Sequence, residues 1–132
     1  MLNKLRDEIH QNAVEHGWWD EERSFGDIIA LCHSELSEAL EEYRNGIEPT
    51  KIYFSCTYKH DFGCPYPACS PEKCRHYPEA RNRPEGIPIE LADCIIRILD
   101  YCGAIGIDIE QAIQLKHEYN RTRPYKHGGK RL

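Results

Sequence analysis

Four carboxylates stand in two pairs of equal spacing, Glu35 with Glu38 and Glu90 with Asp93. A separation of three residues puts both members of a pair on one face of a helix. If the two helices pack antiparallel, four acids converge and repel one another unless divalent cations lie between them. Oxygen ligands of this kind suit Mg²⁺ or Mn²⁺. Taken alone, "SELSEALEEYR" also reads as an ordinary solvated helix face. The second pair resists that reading. "IELADCIIRILDYCGAIG" is apolar nearly all round, yet Glu90, Asp93, Arg97 and Asp100 form one narrow stripe along it. Ionised carboxylates are seldom buried unless they are paired or hold a metal. A di-iron carboxylate bundle would want a Glu-x-x-His pair, and neither pair has histidine there.

The elements that must position these acids are helices. The first is predicted from about residue 2 to 16, with Leu2, Leu5, Ile9 and Ala13 on one face and Gly17 as its stop. Ser24 with Asp27 is a cap pattern for a second helix that runs to Asn45-Gly46. Glu35, Glu38 and Glu42 lie along the edge of its apolar stripe. The third is predicted to begin near Pro88 and to end near Gly103 or Gly106. Asp108 with Gln111 caps a fourth, which reaches about Arg121. Seven of the eight prolines fall between residues 47 and 88, with four cysteines and little periodicity. The expectation is a single all-α domain, residues 1–132, carrying an irregular Cys/Pro-rich insertion at 49–85 between the second and third main helices.

Charge is unevenly spread. The chain carries a net −5, with 12 acids against 4 bases in residues 1–48 and 6 bases against 1 acid in residues 116–132. An acidic chain argues against wrapping duplex nucleic acid. No run of about 18 uncharged apolar residues exists, so no membrane span is expected. The N-terminal stretch lacks an apolar signal core, and a cytoplasmic protein is expected. Without a secretory context, Cys56, Cys64, Cys69 and Cys74 read as four ligands of a structural Zn²⁺, with His60 and His76 as alternative ligands and free thiols as the plainer reading. Cys32, Cys94 and Cys102 lie on apolar helical faces and read as small core residues. Trp18 and Trp19 are adjacent and so point apart; one is expected in the core and the other free to stack on a base. A lone helical His33 is expected simply to pack.

"SELSEALEEYR" followed by "PEGIPIELADCIIRILDY" resembles the MazG-like, all-α nucleoside triphosphate pyrophosphohydrolases. The resemblance covers about residues 1–48 and 84–132. It implies a four-to-five helix MazG-like bundle in which Glu35, Glu38, Glu90 and Asp93 bind Mg²⁺. It implies, too, that "KHEYNRTRPYKHGGKRL" meets phosphate through Lys116, Asn120, Arg123 and Lys130, and that "HGWW" brings Trp18 and Trp19 near the base. Lys116 and Asn120 share a helix face by their spacing, and Lys126 is a further cation in the tail. The chain departs from the family at two points. Ser34 stands where the family often has another acid, leaving that ligand absent or supplied by Glu42 or Asp27. In addition, 51 residues separate Glu38 from Glu90, more than the family's usual spacing.

The implied reaction is Mg²⁺-dependent cleavage of a (d)NTP to a (d)NMP and pyrophosphate, with Glu38 as the carboxylate that orients or deprotonates water. The competing expectation is a non-catalytic, zinc-stapled helical module that binds a nucleotide or a protein partner. Four helices enclose a site poorly, so a homodimer or homotetramer is expected.

Overall fold

The computed structural model of the chain describes residues 1–56, 82–129 and 131. It is mostly helical: α1 (Leu2–Glu15), α2 (Phe25–Arg44), α3 (Ile87–Ile105), α4 (Ile109–Thr122) and a four-residue α5 (Lys126–Gly129). The expected irregular insertion departs from this at its two ends, where β1 (Tyr53–Cys56) and β2 (Asn82–Glu85) pair antiparallel, Tyr53 opposite Glu85 and Phe54 opposite Pro84. The chain divides into two compact units, a terminal one of Met1–Arg23 with Ile98–Leu132 and a central one of Ser24–Arg97. Helix α3 gives its first half to the central unit and its second half to the terminal unit.

In the terminal unit the starts of α1 and α4 are tied together. Asp108 caps α4 by accepting from the Gln111 amide at 3.0 Å, and Asn3 donates to the same carboxylate at 2.8 Å. Asn3 also accepts from the Ile109 amide, and the Met1 ammonium pairs with Glu110. Helix α1 ends at Gly17, whose φ of +81° closes a left-handed cap: the Gly17 amide donates to Val14 and the Trp18 amide to Ala13. That reversal delivers Trp18 and Trp19. Gly103 lets α3 approach α1, because a Cβ there would stand 2.5 Å from the His10 Cβ. Ala13, Leu99 and Cys102 form the buried centre of this unit, with Leu99 the most enclosed at 2% exposure.

In the central unit Ser24 caps α2, accepting from the Asp27 amide at 3.1 Å. Ile28, Cys32 and Ala39 of α2 and Ile87 and Cys94 of α3 are buried. Cys32 lies beside Cys94, and Glu38 beside Glu90. Rising residue numbers on α2 thus meet falling ones on α3, so the two helices run antiparallel here. The hairpin is pinned to the same unit by Tyr53, whose hydroxyl lies 2.9 Å from both oxygens of Glu42.

Across that hairpin the buried Ser55 hydroxyl donates to Glu85, and Arg83 donates to it at 2.7 and 3.0 Å. Burial alone pushes the Glu85 carboxyl up, but Ser55 and Arg83 outweigh it and hold the group below its ordinary value. A carboxyl depressed in the folded chain stabilises above its unfolded pKa and loses that contribution as pH falls through the folded value. Thermal midpoints of the wild type should therefore drop below about pH 4.5, and Glu85→Gln should drop less steeply. Equal slopes in the two melting series would exclude Glu85 as a source of the acid sensitivity.

Candidate metal centre

Three of the four acids predicted to converge lie together within the central unit, and Glu38 is not among them. Glu35, Glu90 and Asp93 each offer a carboxylate oxygen, and these oxygens all lie within 4.8 Å of one another. Glu35 is buried at 6% exposure, Glu90 and Asp93 are half-buried, and Glu38 is exposed. Glu38 lies beside Glu90, close enough for its charge to act on the Glu90 carboxyl.

Crowding is visible in the electrostatics. Burial, then the neighbouring Glu38, then the charges of Asp93 and Glu35, push the Glu90 carboxyl up to about 7. Asp93 is raised as well, by burial first and then by Glu35, with Arg97 pulling the other way. Such a group can be relieved by a proton, by a divalent cation or by an internal base. The donor set is all oxygen, with neither thiol nor imidazole in it, and it fits a hard cation such as Mg²⁺ or Mn²⁺.

The internal base is Arg97, a residue that carried no role in the sequence beyond its place in the stripe. Its Nε donates to Glu35 Oε1 at 2.5 Å. The signal was present: Arg97 lies seven residues after Glu90 and four after Asp93, on their face of the helix. Glu42, one of the two substitutes considered for a missing ligand, is engaged by Tyr53 instead. Burial, with Glu42 next, raises the Tyr53 hydroxyl above its ordinary value. Asp27, the other substitute, is exposed in the first turn of α2.

Asp100 continues the stripe on α3, yet it belongs to the terminal unit and has a different set of partners. It is buried at 8% exposure and accepts from Trp19 Nε1 at 2.9 Å and from His10 Nδ1 at 2.8 Å, with an Arg23 guanidinium nitrogen 3.9 Å away. The Trp19 ring meets His10 edge-on at 5.4 Å, and Arg23 lies over both tryptophan rings at 5.9 and 5.5 Å. Trp18 is exposed, while Trp19 is half-buried. The carboxylate stripe on this apolar helix thus serves two groupings, a carboxylate cluster in one unit and an indole–imidazole–guanidinium cage in the other.

Lys116, Asn120 and Arg123 lie at the α4 end of the terminal unit, where Lys116 and Arg123 both hold their charges over the Tyr119 ring, at 4.8 and 5.8 Å. Tyr119 is thus the hub of these cations, a role its place on the fourth helix does not announce. Lys130, the thiols of the expected zinc site (Cys56, Cys64, Cys69 and Cys74) and the alternative ligands His60 and His76 lie outside the described residues and side chains. Cys32, Cys94 and Cys102 are buried free thiols. Among the described residues, no helix is long and apolar enough to cross a membrane. Compared with known proteins, the chain matches no family model, no curated protein and no solved structure, and the carboxylate centre stands on its own geometry.

Proposed function

We propose that the chain is a divalent-metal-dependent nucleoside triphosphate pyrophosphohydrolase of the MazG-like kind, cleaving the α–β anhydride of a nucleotide to give a monophosphate and pyrophosphate. The observation that carries this reading is the convergence of Glu35, Glu90 and Asp93 from two antiparallel helices, with the exposed Glu38 beside Glu90. Glu35, Glu90 and Asp93 would hold Mg²⁺ or Mn²⁺, which supplies neutralisation of polyphosphate charge and polarisation of a phosphoryl oxygen. Glu38 has access to solvent and is assigned the proton of the attacking water.

The test is product identification. Purified protein is incubated with Mg²⁺ and a panel of ribo- and deoxyribonucleoside triphosphates, beside Asp93→Asn, and the products are separated by chromatography. Monophosphate plus pyrophosphate from the wild type alone supports the reading. No turnover of any triphosphate by folded, Mg²⁺-supplied protein rejects it.

The reading includes self-association into a dimer or tetramer. In the central unit α2 exposes Leu36, Leu40 and Tyr43, and α3 exposes Leu91 and Ile95. In the terminal unit α4 buries no residue, although Ile113, Leu115 and Tyr119 punctuate it. Helices of this length draw most of their stability from packing of an apolar face, and exposed apolar surface on this scale marks an interface. Light scattering at micromolar concentration should give at least twice the chain mass of 15.4 kDa. Leu40→Glu with Ile95→Glu should shift the protein toward monomer, and a monomeric wild type would end this part of the reading.

A further inference from the structure

The carboxylate centre carries a cation of its own. Arg97 shares a face of α3 with Glu90 and Asp93, and its Nε is bonded to Oε1 of Glu35. The two partners are unequal. The Glu35 side chain is 8% exposed, whereas that of Arg97 is 36% exposed. One base thus offsets Glu35, the most buried of the three carboxylates whose oxygens converge. A guanidinium does not lose its proton at any physiological pH, so it can vacate Glu35 only by moving. Its partial exposure and long stem permit that movement, while Glu35 is held in the interior of the unit.

We propose that Arg97 is the resident counter-cation of this centre, bound to Glu35 while no divalent ion is present and displaced from Oε1 when one binds. This rests on the metal reading above and adds to it a residue that sets metal affinity by competition. Two consequences separate competition from mere scaffolding. Without Arg97 the cluster gains net negative charge, so the metal-free protein is less stable. For the same reason, its affinity for a divalent cation is higher. A residue that only held Glu35 in place for the metal would have the opposite effect on affinity.

The experiment is a Mn²⁺ titration of the metal-free chain of 132 residues, followed by electron paramagnetic resonance of the free ion and by calorimetry. The proteins are the wild type, Arg97→Gln, Arg97→Met, Arg97→Lys and the site control Asp93→Asn. Removal of one charge from a cluster of this size is expected to tighten Mn²⁺ binding on the order of tenfold, in whichever of the Gln and Met variants keeps the wild-type circular dichroism. Arg97→Lys, which keeps the charge, should stay near the wild type. The metal-free melting temperature of the neutral variants should fall, and saturating Mn²⁺ should restore it. Wild-type binding that is lost in Asp93→Asn but unchanged or weakened in the neutral variants overturns the competition and leaves the metal site standing. No Mn²⁺ binding by the wild type or by any Arg97 variant overturns the metal reading and the competition together.

Discussion

Asp93→Asn is expected to lower kcat/KM for nucleoside triphosphate by at least about 10²-fold, the size of losing one group that stabilises developing charge, while leaving the metal-free fold at least as stable as the wild type. The two halves of this result come from the same fact. Asp93 sits in a group of like charges whose burial and mutual repulsion raise its pKa and that of Glu90. An acid in that position costs the folded state something when no cation is present, so making it neutral relieves the fold and disables the centre. With metal present the order reverses. A divalent ion at about 100 times its dissociation constant stabilises the wild type by about 2.7 kcal/mol, and the variant should lack most of that gain. Thermal melts with and without Mn²⁺, paired with initial rates, read both halves. A variant that melts lower than the wild type without metal would show that Asp93 supports the fold, and its lost activity would then say nothing about a metal.

Asp100→Ala is expected to have the largest effect on stability, a loss of about 3 kcal/mol, within the range for breaking a buried charged group from its partners. The cause lies in what the substitution leaves behind. Trp19 Nε1 and His10 Nδ1 both donate to Asp100 Oδ1 from a half-buried setting, and Arg23 stands 3.9 Å from the other oxygen. Removing the acceptor strands two donors away from water and leaves a guanidinium without its nearest acid, and each stranded donor costs about 1–3 kcal/mol. The loss is tempered by the solvent that reaches His10 and Arg23, whose side chains are 25% and 19% exposed. Urea unfolding followed by tryptophan fluorescence and by circular dichroism should show a lower midpoint in both signals. Asp100→Asn keeps one carbonyl acceptor and should lose less. A midpoint within about 0.5 kcal/mol of the wild type, the span of ordinary surface changes, would mean that the cage adds nothing to the fold.

Asp93 and Asp100 share a helix face and yet meet different partners. On a helical wheel they are neighbours in one stripe, seven residues apart on α3. Periodicity assigns a residue to a face of its own helix, and it correctly singled out the stripe as anomalous for so apolar a segment. It does not say what the face meets. Glu35 lies 62 residues before Arg97 and His10 lies 90 before Asp100, and no local signal spans such separations. The hairpin was missed for a related reason. Its strands are four residues each, too short for a clear alternation, and one of them contains Pro84. Each strand exists only because the other pairs with it.

What the chain determined by itself are the features that local chemistry decides. Ser24 and Asp108 cap their helices as their spacing to Asp27 and Gln111 foretold. Gly17 ends α1 because it alone takes the left-handed turn there without cost. The two pairs of acids share helix faces because the α-helix repeats every 3.6 residues. Tertiary structure decided the rest: that Glu35, Glu90 and Asp93 converge, that Arg97 answers Glu35, that Tyr53 occupies Glu42, and that Asp100 turns to Trp19 and His10. The physical reason is one of range. Caps, turns and helical periodicity are settled within a few residues of backbone. The partner of a buried charge is chosen by whichever opposite charge or donor the folded chain brings within about 3 Å.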